Sequence, residues 1–438
     1  MRAVFYRPRA GARAMVGKPN ARRVLVVFET AWDRRQLAAC APRWSGATSV
    51  VFSEPSDADC PADLDPVSFV ADAARGVWGR IDGVTSSSDY PGVTLAGALA
   101  AELGLAGSSP ERLITAAHKY YSRIAQRAVA PEAVPDFALV DLRARAVAPP
   151  LAFPCWVKPV KSAFSMLARR IDGPEAFRDF LDAPAMREFA HDYMAIFNRM
   201  VVAYTDHPID GRALIAESVL RGDLVTVEGF VCGRSVELLG IVDSTLHANG
   251  SFARFDYPSA LPEAVRDRMA AIARRVIAAL GLDQTLWNIE MMYDAANDRV
   301  SIVEVNPRIC GQFADLYQKV DGTNSYEIAL ALCTGERPRV TAGRGRYPAA
   351  ASFPLRVFEP SRVQEGPSDA DIAAAETLFP ETLVWRECRA GDELCDFGGE
   401  DGASQRYAVI NIGGADRTDL ERRCDVVQER LGFRIKPL

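Results

Sequence analysis

From Arg23 onward, short apolar runs alternate with stretches whose apolar residues recur at helical spacing. The run 24–28 (VLVVF) predicts a buried strand, 48–52 (TSVVF) a second, and 80–87 (RIDGVTSS) a third that ends in small polar residues. Residues 93–105 (VTLAGALAAELGL) read as a helix with Gly104 near its end. This alternation predicts an α/β unit, a small doubly wound parallel sheet. No G-x-G-x-x-G follows the first strand, where the chain reads ETAWDR, so a dinucleotide site of the usual type is not expected. The loop 85–90 (TSSSDY) leaves a strand at its carboxyl end, where open α/β sheets bind ligands. Read alone, it is an ordinary surface loop.

The pattern then turns mixed. Ser109-Pro110-Glu111 starts a helix that sets Lys119 and Arg123 four residues apart on one face, which by itself is a solvated face. Residues 153–171 read as two strands joined by a loop. Alternation there projects Lys158 from an apolar strand, and an ammonium in that place implies an anionic partner. Residues 174–200 read as a helical pair, and 212–244 as a strand ending in Glu217, a connection through Arg221-Gly222-Asp223, and an antiparallel pair turned at Cys232-Gly233. On the first strand of that pair, 226, 228 and 230 share a side, so Glu228 is the charged residue of that side. Residues 243–258 read as a long loop with His247, Asn249 and Arg254. Its guanidinium makes Arg254 a candidate for a substrate carboxylate, with His247 beside it. A helix over 262–280 turns Val265, Met269, Ile272 and Val276 to the core and stops at Gly281. Beyond about residue 340, TAGRGRYP reads as a linker, followed by strand-like AASFPLRVF and RYAVINIGG and an amphipathic helix.

The densest chemistry lies in 287–312, WNIEMMYDAANDRVSIVEVNPRICGQ. Two strands flank a turn-like DAAND, and with the turn centred near Asn297, Glu290 lies opposite Glu304 while Asn306 shares their face. Like charges opposite each other on a sheet are destabilising unless a cation sits between them, and oxygen ligands suit a divalent one. Arg308 follows past a proline and can reach over the same place.

Composition removes several alternatives. The 438 residues suffice for two or three core-bearing units, and a net charge of −6 leaves no footprint for nucleic acid. No apolar run approaches the roughly 18 residues that cross a bilayer. The first 23 residues carry seven Arg or Lys and no acid, without the apolar core of a secretory signal, and read as an irregular arm. Nine scattered cysteines without a C-x-x-C pair, and only four histidines, point away from structural zinc or a disulfide framework and toward a cytoplasmic location.

The order E…E-V-N-P-R over Glu290, Glu304, Asn306 and Arg308 resembles the ATP-grasp superfamily, and the layout looks most like its carboxylate–amine, L-amino-acid ligase-like members. The resemblance implies an ATP-grasp fold, α+β in the nucleotide-binding part, with an N-terminal parallel-sheet domain over 23–112 after an arm over 1–22. It further implies an ATP-grasp domain over 113–340, with a lid at about 150–216, and a C-terminal cap over 341–438. It implies ATP with Mg²⁺, or Mn²⁺ in its place, held by Glu290, Glu304 and Asn306. Lys119 and Lys158 of P-x-x-V-K-P would contact the phosphates, although the residue before Lys119 is His118 where relatives commonly have Asp. The loop after Lys158 lacks the family's glycines and offers Lys161, Ser162 and Ser165 instead. Glu217 and Val219 of E-x-x-L-x-G-[DE] would pair with adenine through their backbone, Asp223 would take the ribose hydroxyls, and Glu228 would stand nearby. The implied activity is activation of a carboxylate as an acyl phosphate and its ligation to an amine, with Arg308 and Lys158 catalytic and Arg308, Arg254 and His247 toward substrate. A biotin-carboxylase-like or carbamoyl-phosphate-type enzyme and a non-catalytic ATP-binding regulator are the alternatives. Expected partners are small-molecule carboxylates and amines, with neither nucleic acid nor membrane, and a homodimer is allowed.

Overall fold

The computed structural model describes residues 21–438 except 42–47, 54, 58, 62, 77–78, 141, 143–148, 150, 163–166, 189–194 and 398–401. At its amino end, β1 (Arg22–Val26), β2 (Thr48–Phe52) and β3 (Gly83–Thr85) form a parallel sheet in the order β2-β1-β3. Arg22, expected at the end of an irregular arm, already pairs with Thr48. The third strand is shorter than its apolar pattern predicts, because Ser86 turns away and its Oγ donates to the Val27 carbonyl at 2.6 Å. Helix Gly92–Glu102 follows, as expected.

The predicted helix through Lys119 is two helices, Pro110–Ala117 and Lys119–Val129. They break at His118, which is extended, and the Lys119 N–H donates instead to the Val160 carbonyl at 2.8 Å. Val160 follows the second of four antiparallel strands, β4 (Phe137–Val140), β5 (Cys155–Pro159), β6 (Arg169–Ile171) and β7 (Leu214–Ser218), in the order β4-β7-β5-β6. The first strand of this sheet, from Phe137, thus precedes the segment from about 150 to 216 expected to form a lid.

The centre of the molecule is an eight-stranded antiparallel sheet of β8 (Asp223–Cys232), β9 (Ser235–Leu246), β10 (Phe252–Tyr257), β11 (Thr285–Asp294), β12 (Arg299–Asn306), β13 (Ala349–Val357), β15 (Leu383–Arg386) and β17 (Gln405–Gly414), in the order β12-β11-β8-β9-β10-β13-β17-β15. The C-terminal segment therefore continues the central sheet, and only β14 (Ser361–Glu365), β16 (Glu393–Leu394) and β18 (Arg434–Pro437) form a small sheet apart from it. One face of the central sheet buries Val225, Val227, Trp287, Ile289, Met291 and Val305 under helix Glu263–Leu280, whose Val265, Met269, Ile272 and Val276 face them as predicted. Gly281 ends that helix in the left-handed conformation, φ 67°. The segment 243–258 is not a long loop: β9 runs to Leu246, β10 starts at Phe252, and the His247 N–H donates to the Ser251 carbonyl at 2.8 Å across a tight turn. Among the described residues no helix is long and apolar enough to cross a membrane.

Candidate active site

Laterally paired residues of a sheet share a face, so the register alone assembles the site. Glu304, Glu290 and Thr226 form one row across β12, β11 and β8; Asn306, Asn288 and Glu228 form the next row on the same face. The pairing of Glu290 with Glu304 depends on an irregularity. Beyond the turn the register runs Tyr293 with Val300 and Met291 with Ile302, then shifts so that Glu290 meets Glu304 and Val303 is left over. That bulge lets Ile302 point into the core while Glu304 and Asn306 turn to the site, which strict alternation along β12 forbids. It also frees the Val303 carbonyl, which accepts from Arg123 Nη2 at 2.8 Å and from Lys158 Nζ at 3.4 Å.

The lid strands bring the cations. On β5, Trp156 and Lys158 face the site while Cys155 and Val157 enter the lid core. Lys158 Nζ lies 2.8 Å from Glu217 Oε2, and Arg123 Nε 2.6 Å from Glu217 Oε1. Burial alone would raise the Glu217 carboxyl, but Arg123 and Lys158 outweigh it and hold the group down at about 2. The Glu217 side chain is therefore spent as a counter-ion to the lysine. Lys119 Nζ lies 3.2 Å from Glu304 Oε2 and donates to the Ser162 carbonyl at 3.2 Å. Burial pushes Glu304 up, yet Lys119 and Lys158 prevail and depress it. Glu290 goes the other way: burial first, then the facing Glu304, drive its carboxyl up.

That split is what two carboxylates sharing an uncompensated seat must show, and a divalent cation between them would relieve it. Among the described residues no group of three or more His, Cys, Asp and Glu gathers in metal-ligand fashion. Two carboxylates and an amide suit Mg²⁺, which keeps water and takes phosphate oxygens for the rest of its shell. Asn306 is held by its nitrogen, Nδ2 donating to Asn288 Oδ1 at 3.0 Å, and Asn288 Nδ2 donates to the Arg308 carbonyl at 3.2 Å. Arg308 itself reaches the loop after β3, with its Nε 3.0 Å from Asp89 Oδ1, and Lys161 Nζ lies 2.6 Å from Asp89 Oδ2.

The structure does not bring every expected residue here. Arg254 pairs with Thr245 and, two residues on, Asp256 pairs with Asp243, in a row shared with Val225 and Met291, so Arg254 is on the face opposite Glu290. Its guanidinium is taken by Asp256, at 2.8 Å, and by Glu421. His247 sits in the β9–β10 turn with its ring 4.9 Å from that of Phe358. Asp223 is exposed and paired with Tyr293, again on the other face, so Leu224 rather than Asp223 shares the face of Thr226. Val219 lies half-buried in the connection from β7 to β8. Gly222 in that connection has φ 116°, and a Cβ there would stand 2.1 Å from the Tyr293 carbonyl oxygen, so only glycine fits the turn. Ser165 lies outside the described residues. Glu228 is fully buried, Oε1 accepting from the Cys310 N–H at 3.3 Å and Oε2 without a partner. Asn288 joins the site without having been singled out for it, although period two from Glu290 marks it. In sequence Arg123 is marked only by its i,i+4 spacing from Lys119 and Asp89 only as part of the loop 85–90, while Lys161, expected toward the phosphates, is held by Asp89.

The sequence model of the ATP-grasp domain matches residues 151–315. No curated protein sequence matches the chain. Among solved structures, an L-amino acid ligase from Bacillus licheniformis superposes with TM-score 0.71 at 16% identity, over 96% of this chain and 100% of the other. A phosphoribosylglycinamide synthetase from Anaerococcus prevotii gives 0.63 at 14% identity, over 95% and 100%. The biotin carboxylase domain of 2-oxoglutarate carboxylase from Hydrogenobacter thermophilus, solved with magnesium-ADP and bicarbonate, gives 0.64 at 14% identity, over 95% and 90%. The eight-stranded and four-stranded sheets are thus those of the ATP-grasp fold, and the sequence model of the ATP-grasp domain falls on residues 151–315, which include the hairpin of β11 and β12.

Proposed function

We propose that the protein is an ATP-dependent, ADP-forming ligase that joins a carboxylate to an amine. The observation that carries this reading is the single face on which Glu290, Glu304 and Asn306 meet, flanked by Lys119, Lys158 and Arg308. Magnesium held by Glu290, Glu304 and Asn306 would neutralise phosphate charge and leave the γ-phosphoryl group open. Lys119 and Lys158, one on the helix and one on the lid strand, would fix the phosphates from two sides. Carboxylate oxygen attacks γ-phosphorus, the bond to the β-phosphate oxygen breaks, and ADP departs with that electron pair. Arg308 would then polarise the acyl phosphate carbonyl. The amine, having lost one proton, attacks the carbonyl carbon; the C–O bond to phosphate breaks, and the second proton leaves as the amide forms.

The test is ADP release by purified protein with Mg-ATP and pools of amino acids and small carboxylic acids, read together with the mass of the amide product. Release that depends on bicarbonate alone would move the assignment to a carboxylating enzyme. Nucleotide binding with no release under any pool would remove the enzyme altogether.

A further inference from the structure

Strand β12 parts from β11 at the pair of Asn306 and Asn288, and Pro307, which has no N–H to give, stops the backbone ladder there. The segment beyond carries Arg308, yet it stays against the sheet, hung from side chains of the two neighbouring strands. Asn288 Nδ2 on β11 donates to the Arg308 carbonyl at 3.2 Å, and Glu228 Oε1 on β8 accepts from the Cys310 N–H at 3.3 Å. Asn288, Glu228 and Asn306 are 3%, 0% and 8% exposed, so a bond lost here is not made good by bulk water. On the other face of β11 the neighbours of Asn288, Trp287 and Ile289, fill the core under helix Glu263–Leu280 and hold the strand in phase.

The directions of two amides follow from one carbonyl. The Arg308 oxygen can only accept, so the Asn288 nitrogen points at it and the Asn288 oxygen points the other way. That oxygen also can only accept, and the group it meets is the Asn306 amide, whose Nδ2 donates to it at 3.0 Å. Asn306 Oδ1 is thereby turned away from Asn288, on the face that carries Glu290 and Glu304, and no hydrogen bond among the described residues uses it. Were Asn288 reversed, two oxygens would meet at the Arg308 carbonyl and Asn306 would offer N–H groups where a cation needs oxygen. One buried amide thus decides which atom Asn306 presents and where the backbone of Arg308 sits.

We infer that Asn288 is a positioning residue of this site: through Asn306 it aims an oxygen at the metal seat, and through the Arg308 carbonyl it sets the guanidinium beside that seat. This rests on the ligase reading and its metal seat, and adds to it the residue that ties metal to guanidinium. The probe is Mn²⁺ in the presence of ADP, its free concentration read by electron paramagnetic resonance. In Asn288→Leu, of the same branched shape without polar atoms, the Kd for Mn²⁺ rises about 10–100-fold, the cost of removing an outer partner of a metal ligand. ADP binding without metal, measured by calorimetry in EDTA, stays within about 2-fold, the scatter of an uncoupled change. A merely structural role would move the two constants together or lower only the fraction of protein that binds. A rise of less than about tenfold, or a parallel loss of metal-free ADP affinity, overturns the assignment. Asn288→Asp separates the two bonds and carries the test should the leucine variant not fold, because a carboxylate still accepts from Asn306 Nδ2 but gives nothing to the Arg308 carbonyl. It holds Mn²⁺ at least as tightly as wild type while the kcat for ADP release with the active pool falls about 10–100-fold. Weakened Mn²⁺ binding or an unchanged kcat in that variant overturns the assignment too. Wild type that binds ADP but no Mn²⁺ removes the metal seat itself and this inference with it, whereas variants that match a wild type binding both remove the inference alone.

Discussion

Glu290 and Glu304 differ in their electrostatics although they face each other, because Lys119 and Lys158 prevail over burial at Glu304, whereas at Glu290 burial and the facing Glu304 prevail over Arg308, Lys158 and Lys119. A cation seated between them should erase that difference. We therefore expect Glu290→Gln and Glu304→Gln each to lower kcat by about 10²–10³-fold, the scale seen when one preorganised electrostatic partner is removed from a reacting centre. Full ADP-forming turnover in either variant would take the metal seat away from this face. Glu228 makes a separate prediction, one of stability. Burial lifts its carboxyl from 4.5 to about 8. Below pH 4.5 the group is neutral in both folded and unfolded chains. As pH rises from there the unfolded chain ionises first, so the folded state loses ground progressively until about 8. Glu228→Gln lacks this dependence. Thermal melts at pH 5, 7 and 9 should show the variant matching wild type at the lowest pH and gaining on it upward; parallel curves would mean that Glu228 is ionised in the native state.

The hairpin of β11 and β12 is the element whose meaning was most legible in sequence, and the reason is instructive. Apolar and polar positions alternate cleanly on β11, so Trp287, Ile289 and Met291 went to the core and Glu290 to the site. A turn centred near Asn297 predicts the facing of Glu290 and Glu304, which the register shows. The actual turn lies between Asp294 and Arg299, and it is the bulge at Val303 that restores the pairing. No local pattern announces that bulge, since Val303 is one more valine in an apolar strand. Arg254 and Asp223 fail for the mirror-image reason: each has suitable chemistry, but the phase of its strand turns it to the other face. The lid strands and helix Lys119–Val129 are tied through the same bulge, because Arg123 and Lys158 share both Glu217 and the Val303 carbonyl. Glu217→Gln leaves those two cations without their buried counter-ion, and breaking such a pair from one side costs about 3–5 kcal/mol. Denaturant titration should show that loss at an unchanged m-value; a shift under about 1 kcal/mol would mean that water already screens the network as it does a surface ion pair.

At the scale of the molecule, the site lies where three stretches far apart in sequence converge. The amino-terminal sheet contributes Asp89, the lid Lys158, and the central sheet the acids. Sequence reading separates these units and adds a C-terminal cap, since linker-like TAGRGRYP invites a boundary near 340. The central sheet runs across that boundary. Phe255 of β10 pairs with Ser352 and Tyr257 with Ala350, so β13, β17 and β15 complete the sheet whose far edge holds Glu304. Strands joined over such sequence distances leave no periodic trace of their partners. The C-terminal segment also grips the amino-terminal domain: Trp32 meets Trp385 edge-on with centroids 5.4 Å apart, and Arg35 bonds Glu376 and the Val384 carbonyl. A chain ending at Thr341 would expose the whole edge of β10, and with it Phe255 and Tyr257, which now pack with Ala350. An unpaired apolar edge of that length is a template for association. We expect that truncated chain to elute as aggregate in size-exclusion chromatography and to lose cooperative unfolding. A soluble monomer with a single sharp transition would show instead that the central sheet closes without its last three strands, and that the C-terminal segment is a cap after all.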